Sequence, residues 1–204
     1  MKKLSYLLSV IVLFVVTLAF RPADPKAVQS YKVDTQKSKI TWVGKKVTGE
    51  HNGNVKISQG NFNVVNNQVK DGSFEIDLSS LTVNDITDPA GNEKLVNHLK
   101  GDDFFATAKY PTAKFVITSV TPVSKEQYTV NGNLTIKGIT HPISFPATIT
   151  QKNNSIVANG DIVVDRTKYD IKFKSANYFE NLGDKAISDE FTLKVNAVAF
   201  PSNL

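Results

Sequence analysis

Cysteine is absent from the 204-residue chain, and methionine and tryptophan occur once each. Without cysteine there is no disulfide framework, no thiolate zinc site, no thiol nucleophile and no lipid-modified N-terminal cysteine. Histidine occurs three times, and no two histidines have the spacing of metal ligands. Glycine-rich phosphate loops and the Gly-x-Ser-x-Gly elbow of hydrolases are also missing. We therefore predict no metal, no cofactor and no catalytic centre.

Long blocks of like charge are also lacking. The formal net charge is +5, but three of the basic residues, Lys2, Lys3 and Arg21, lie at the N-terminus, where no acid balances them. The remainder carries 21 basic and 19 acidic residues, a net charge of +2. A nearly neutral domain without a basic patch is not expected to bind nucleic acid.

The N-terminus has the pattern of an export signal. Lys2 and Lys3 precede an apolar run from Leu4 to Phe20, and small residues precede a cleavage point after Ala19. We predict a signal peptide over residues 1–23 and a linker over 24–29. The alternative is an uncleaved anchor that would hold the protein on a membrane. Either reading predicts export to the periplasm or the extracellular space.

The rest of the chain alternates apolar and polar residues, as half-buried strands do. The cleanest example runs from Val69 to Leu78, where Phe74, Ile76 and Leu78 share one face. About eight such strands with hairpin-like turns predict an all-β, antiparallel fold. We prefer a barrel to a sandwich, because closure removes exposed strand edges and joins the apolar faces.

Local signals refine this pattern. Glycine and asparagine predict a turn over 47–53 and a break over 59–61, whereas the alternation continues over 165–173. One short helix is expected over about 89–100, with Asp88 as N-cap and Gly101 after its last residue.

The helix is followed by an unusually aromatic segment, Leu99–Phe115. Asp102 and Asp103 come directly before Phe104 and Phe105. Adjacent acids on an extended chain point apart, so we interpret them as a solvated turn rather than as an acid–base pair. The two phenylalanines are expected to close one end of the barrel, either as a fixed cap or as a moving gate.

The remaining polar candidates have structural explanations. His51, His98 and His141 are interpreted as surface or capping residues in turns or on the helix. Asp165 and Arg166 are interpreted as an ion pair that braces a strand end.

Four further motifs follow one another along the chain: Leu99–Phe115, with its phenylalanine pair and its Tyr-Pro-x-Ala-x-Phe ending, Gly132–Thr140, Asp165–Tyr169 and Leu182–Phe191. In this order they resemble the YceI-like family. The resemblance covers about residues 30–200. Asp170 departs from the family pattern, in which glycine is expected after the aromatic residue.

This resemblance implies a secreted bacterial protein with an extended lipocalin-like barrel that binds a polyisoprenoid or fatty-acyl lipid. The predicted function is that of a carrier, store or stress-related scavenger. Each buried methylene of the lipid would contribute about 0.8 kcal/mol. The residues expected to surround the lipid are Ile40, Trp42, Phe74, Ile76, Phe104, Phe105, Phe115, Ile117, Phe145 and Phe173.

Two other functions remain open. One is an enzyme acting on an isoprenoid lipid or quinone precursor, with His98, Asp102 and Asp103 as its polar groups. The other is a structural envelope protein whose barrel is filled with side chains. A homodimer is also left open.

Overall fold

The computed structural model describes residues 27–152 and 154–202. The predicted signal peptide or anchor, and all but the last three residues of the predicted linker, lie outside this part. Within it, no helix combines the length and the apolarity needed to cross a bilayer.

The described residues form nine antiparallel strands, one α-helix and three short 3₁₀ turns. The strands are β1 Gln29–Val33, β2 Lys39–Lys46, β3 Gly49–Val65, β4 Gln68–Asp77, β5 Thr112–Pro122, β6 Gln127–Ile136, β7 Ile139–Lys152, β8 Ser155–Asp165 and β9 Ile187–Pro201, and the helix is α1 Pro89–Lys100. The 3₁₀ turns are Leu78–Ser80, Arg166–Tyr169 and Gly183–Lys185.

The strands close into a barrel with eight positions around its ring. Within the ring, each of β2 to β9 pairs with the strand on either side of it, and the pairing of β3 with β4 completes the circle. β1 and β2 share one position, because both lie between β3 and β9, one beyond the other. The predicted all-β barrel of about eight antiparallel strands is therefore confirmed.

The predicted turn over 47–53 is present but shorter, because only Val47 and Thr48 connect β2 to β3, and the predicted break over 59–61 is wrong. β3 runs without interruption from Gly49 to Val65 and absorbs two register shifts against β4, one between Ile57 and Gln59 and one between Asn63 and Val64. Gly53 and Gly60 are sites of close contact: a Cβ on Gly53 would lie 1.7 Å from the Thr82 carbonyl oxygen, and one on Gly60 would lie 2.9 Å from the Phe74 ring. Cross-strand pairing along β2 and β4 outweighs the local turn preference of glycine and asparagine.

The predicted strand over 165–173 is also wrong. β8 ends at Asp165, whose side chain accepts hydrogen bonds from the Thr167 N–H at 2.9 Å and from its hydroxyl at 2.6 Å. A 3₁₀ turn follows, and Asp170 ends it in the left-handed conformation with φ 56°. Glycine adopts that conformation most readily, which agrees with the expectation, drawn from the sequence resemblance, of a glycine at this position.

The helix is confirmed. The Asp88 carboxylate accepts the Gly91 N–H at 2.7 Å, Pro89 occupies the first turn and Gly101 is the C-cap. Its apolar side packs on a small cluster apart from the main core, and the residues involved are Trp42, Leu81, Val83, Leu95, Val96 and Leu99. The helix therefore lies against one end of the barrel.

Candidate ligand-binding cavity

The interior of the barrel holds a cavity of about 250 Å³ with an almost wholly apolar wall. Nine of the ten residues that were predicted to surround a lipid line this cavity, namely Ile40, Trp42, Phe74, Ile76, Phe104, Phe105, Phe115, Ile117 and Phe145. Strand alternation explains the agreement, because these residues occupy the inward positions of β2, β4, β5 and β7 or the segment after α1. The barrel is therefore not completely filled by side chains.

Phe173 is not among the cavity-lining residues. It lies in the segment between β8 and β9, where its ring centroid is 4.8 Å from that of His98 and 5.6 Å from that of Phe104. The prediction that Phe173 faces inward assumed that the strand continues to residue 173, whereas β8 ends at Asp165. Phe173 instead supports Phe104 from outside the cavity.

Several lining residues were missed from the sequence. Phe191, Leu193, Val195 and Ala197 alternate along β9 and all face the cavity. Their alternation was visible in the sequence and would have identified them. Leu95 and Leu99 of α1 also line the cavity. Their helical spacing predicts a buried face but does not say which part of the barrel that face contacts.

Phe104 and Phe105 lie where the chain leaves α1. Phe104 is buried, and Phe105 is half-buried with its ring centroid 6.2 Å from that of Phe191 on β9. Backbone bonds from Phe104 N to Gly101 O and from Phe105 N to Leu99 O, both 3.1 Å, hold the turn. Both side chains thus cover the end of the cavity nearest the helix.

Polar lining residues concentrate at that same end. We define the polar end of the cavity by the lining residues Lys45, Lys46, His51, Arg166, Ser188 and Glu190. They come from the last residues of β2, the first of β3 and β9, and the turn after β8, which meet at one rim of the barrel. Asn159 is the polar lining residue away from this rim, and its side chain accepts a hydrogen bond from Asn196 at 2.7 Å.

Arg166 is buried at the polar end. Its guanidinium donates to the carbonyl oxygens of Ser188, Ile171 and Ile187 at 2.9, 2.7 and 3.0 Å. Asp189 lies 3.5 Å away, and Asp165 points to Thr167 instead, so the predicted Asp165–Arg166 pair is wrong. Burial lowers the pKa of Arg166, and the two aspartates oppose that shift.

The His51 ring contacts the Asp85 carboxylate and is not simply a surface side chain. Its Nδ1 is 2.7 Å from Asp85 Oδ2, and Asp85 Oδ1 accepts the Asn52 N–H at 2.8 Å. Partial burial raises the pKa of Asp85, but the hydrogen bonds from Asn52 and His51 outweigh it and leave the pKa below its ordinary value. His51 lies in β3, not in a turn as predicted.

The other polar candidates lie away from the cavity wall. His98 Nε2 is 3.0 Å from Asp103 Oδ2, and Asp102 is exposed in the following turn. His141 contacts the Lys168 carbonyl at 3.0 Å. Across residues 27–152 and 154–202, no group of three or more His, Asp and Glu side chains is placed to hold a metal ion.

Comparison with known proteins places this barrel in a family. Residues 31–199 match the YceI-like domain. The chain belongs to the YceI-like family. Family membership agrees with the order of the four motifs and with the barrel that they build.

Curated relatives of this YceI-like chain include UPF0312 proteins from two bacteria. Identity is 35% over 88 residues with the Shewanella denitrificans protein, covering 43% of this chain and 44% of that one. It is 30% over 138 residues with plu2095 of Photorhabdus laumondii, covering 63% and 69%. The first match therefore spans less than half of the relative's length.

Solved structures share the YceI-like barrel. The crystal structure of BcnA from Burkholderia cenocepacia has a TM-score of 0.66 and 24% identity, covering 81% of this chain and 98% of that one. A polyisoprenoid-binding domain from Saccharophagus degradans, implicated in plant cell wall breakdown, has a TM-score of 0.62 and 14% identity, covering 85% and 99%. At these identities the likeness shows the fold alone.

Proposed function

We propose that this protein is an exported lipid-binding protein that holds a long apolar chain, of polyisoprenoid or fatty-acyl type, inside the barrel. The observation that carries the proposal is the cavity of about 250 Å³ with its apolar wall. Transfer of apolar surface from water into such a cavity is favourable by about 25 cal/mol per Å². The Saccharophagus degradans domain, described as polyisoprenoid-binding, has the same fold.

The proposed role is binding without catalysis, as carrier, store or stress-related scavenger. The enzyme alternative requires His98, Asp102 and Asp103 at the mouth of the cavity. In the part of the chain that the structure describes, none of the three is among the cavity-lining residues, so no observation favours that alternative. A fully filled barrel is not favoured either, because the interior contains the cavity.

The experiment is recovery of lipid from the purified full-length protein by native mass spectrometry and solvent extraction. Ala158→Phe places a large side chain on an inward, cavity-lining position of β8. Val163→Phe is the matched control, because Val163 lies on the same strand and is 56% exposed. We expect lipid with the natural protein and with V163F, and much less with A158F.

Two results would contradict lipid binding. One is a natural protein that neither retains lipid nor takes it up from vesicles. The other is retention by a folded A158F that equals retention by V163F. Circular dichroism checks that A158F is folded, and a second narrowing variant, Ala197→Phe on β9, replaces it if it is not.

Export rests on the N-terminal pattern and has its own test. N-terminal mass analysis of the protein from a bacterial host distinguishes cleavage after Ala19 from an intact, membrane-bound leader. An intact leader in the cytosolic fraction would contradict export.

A further inference from the structure

The cavity is electrostatically uneven along its length. All the cationic and histidine side chains that line it, Lys45, Lys46, His51 and Arg166, belong to the polar end, and Glu190 is the one acid among the lining residues of the described chain. The opposite end is closed by buried apolar residues, which include Tyr31, Val33, Phe62, Val64 and Ile156. A bound amphiphile would therefore meet cationic groups at one end and apolar groups along the rest.

Two of the basic groups already have partners. The Arg166 guanidinium is held by three carbonyl oxygens and by Asp189. His51 is held by Asp85. These contacts fix both side chains in place, so they define the rim and are not free to follow a ligand.

Lys46 is different. Within residues 27–152 and 154–202 no carboxylate oxygen lies within the 4.0 Å of a salt bridge from its Nζ, and the side chain is exposed. It stands opposite Ile187, whose carbonyl accepts from Arg166, so Lys46 and Arg166 flank the same residue of β9. Lys45 stands opposite Glu50, which supplies a nearby opposite charge.

We infer that the polar end selects amphiphiles with an anionic headgroup, a carboxylate or a phosphate, and that Lys46 is the cation that contacts it. This inference rests on the proposed lipid binding and specifies the ligand's polar end. A charge-assisted hydrogen bond from an ammonium to an anion is about twice as strong as a neutral one. Because Lys46 is exposed, screening reduces its contribution. We expect a preference of about three- to tenfold over a neutral headgroup on the same chain.

The test uses chain-matched probes with the full-length protein. Dodecanoate is compared with dodecanamide, and geranylgeranyl phosphate with geranylgeraniol, by displacement of an apolar fluorescent reporter from the cavity. The two pairs separate a carboxylate source from a phosphate source. Lys46→Gln removes the charge, Lys46→Arg keeps it, and Lys114→Gln is a control on the outer face of β5, where the lysine is exposed.

Within at least one pair, the natural protein, K46R and K114Q should bind the anionic probe several-fold more tightly, and K46Q should bind the two probes of that pair with similar affinity. Added salt should weaken the preference. Equal affinities within both pairs, or a preference that persists in K46Q, would overturn the headgroup inference and leave lipid binding intact. Failure of all four probes to bind would overturn both proposals.

Discussion

Trp42 donates its indole N–H to the backbone carbonyl of Thr82 at 3.0 Å, which ties the barrel wall to the segment that leads into α1. Gly53, the partner of Trp42 on β3, leaves room for this contact. The single tryptophan of the chain is therefore both part of the cavity wall and the anchor of the helical end.

Trp42→Phe keeps an aromatic ring but removes the donor. We expect a loss of about 1–3 kcal/mol in the free energy of unfolding, because a partly buried carbonyl loses its partner. Urea unfolding followed by circular dichroism measures it, since the variant has no tryptophan fluorescence. An unchanged midpoint would mean that the Thr82 bond contributes nothing to stability.

Phe104 and Phe105 should respond differently to truncation. Phe104→Ala is expected to cost about 3–5 kcal/mol, because Phe104 is buried between His98 and Phe173. Phe105→Ala should cost less and should speed ligand release, because Phe105 is half-buried over the cavity. Urea unfolding measures the loss of stability expected of a fixed cap, and the dissociation rate of a fluorescent lipid measures the faster release expected of a gate. Equal effects of the two variants on both measurements would contradict this division.

Gly132 faces Phe115 too closely for any side chain. A Cβ at this position would lie 2.4 Å from two ring carbons of Phe115, so Gly132→Ala should lower stability by about 1–3 kcal/mol. Gly44→Ala is the control, because its Cβ would meet the Trp42 ring at 3.8 Å, an ordinary contact distance. Thermal unfolding of the two variants compares them, and similar melting temperatures would refute the steric argument.

Tyr169 is buried, and its hydroxyl has no hydrogen-bond partner among the described residues. Tyr169→Phe should therefore leave stability at pH 7 unchanged or raise it by about 1 kcal/mol. Burial, with a smaller effect of Asp165, raises the pKa of Tyr169 to about 12. In the unfolded chain the Tyr169 hydroxyl loses its proton near pH 10, before the folded protein does. Stability therefore falls as the pH rises from about 10 to about 12. Y169F should show a smaller fall, and a destabilised Y169F at pH 7 would indicate a bound water or other partner.

Asp85 should contribute to acid sensitivity. Its pKa in the folded protein lies below the ordinary value of 3.8, so its stabilising effect is present above 3.8 and is lost as the pH falls through the lowered value. Asp85→Asn removes the carboxylate, so this residue no longer takes up a proton when the protein unfolds in acid. Urea midpoints measured from pH 6 to pH 2 should fall less steeply for D85N than for the natural protein. Parallel curves would contradict the link between Asp85 and acid unfolding.

Local sequence rules located the helix and nine of the residues that line the cavity. Asp88 and Gly101 bracket α1 because capping depends on adjacent residues, and Ile40, Trp42, Phe115 and Ile117 face inward because strand periodicity is local. Both kinds of signal can be read without knowledge of the partner strands.

The rest depends on contacts between distant residues. Gly53 and Gly60 look like turn residues but stay in β3, because β2 and β4 pair with it on both sides. Phe173 follows an alternating run that the Asp165 cap interrupts. The polar end likewise joins β2 to residues 120 or more positions later, so the position of Lys46 beside Arg166 could not be predicted.

The shared position of β1 and β2 has a consequence for the rate of folding. Both strands must pair with β9, and Ser38 bonds to Val198, 160 positions along the chain. Contacts of such long sequence separation cost loop entropy before they contribute stability, and proteins dominated by them fold in milliseconds to seconds. Hairpins such as β6–β7, whose strands follow each other directly, can form early, whereas closure of the ring through β9 is expected to be late and rate-limiting.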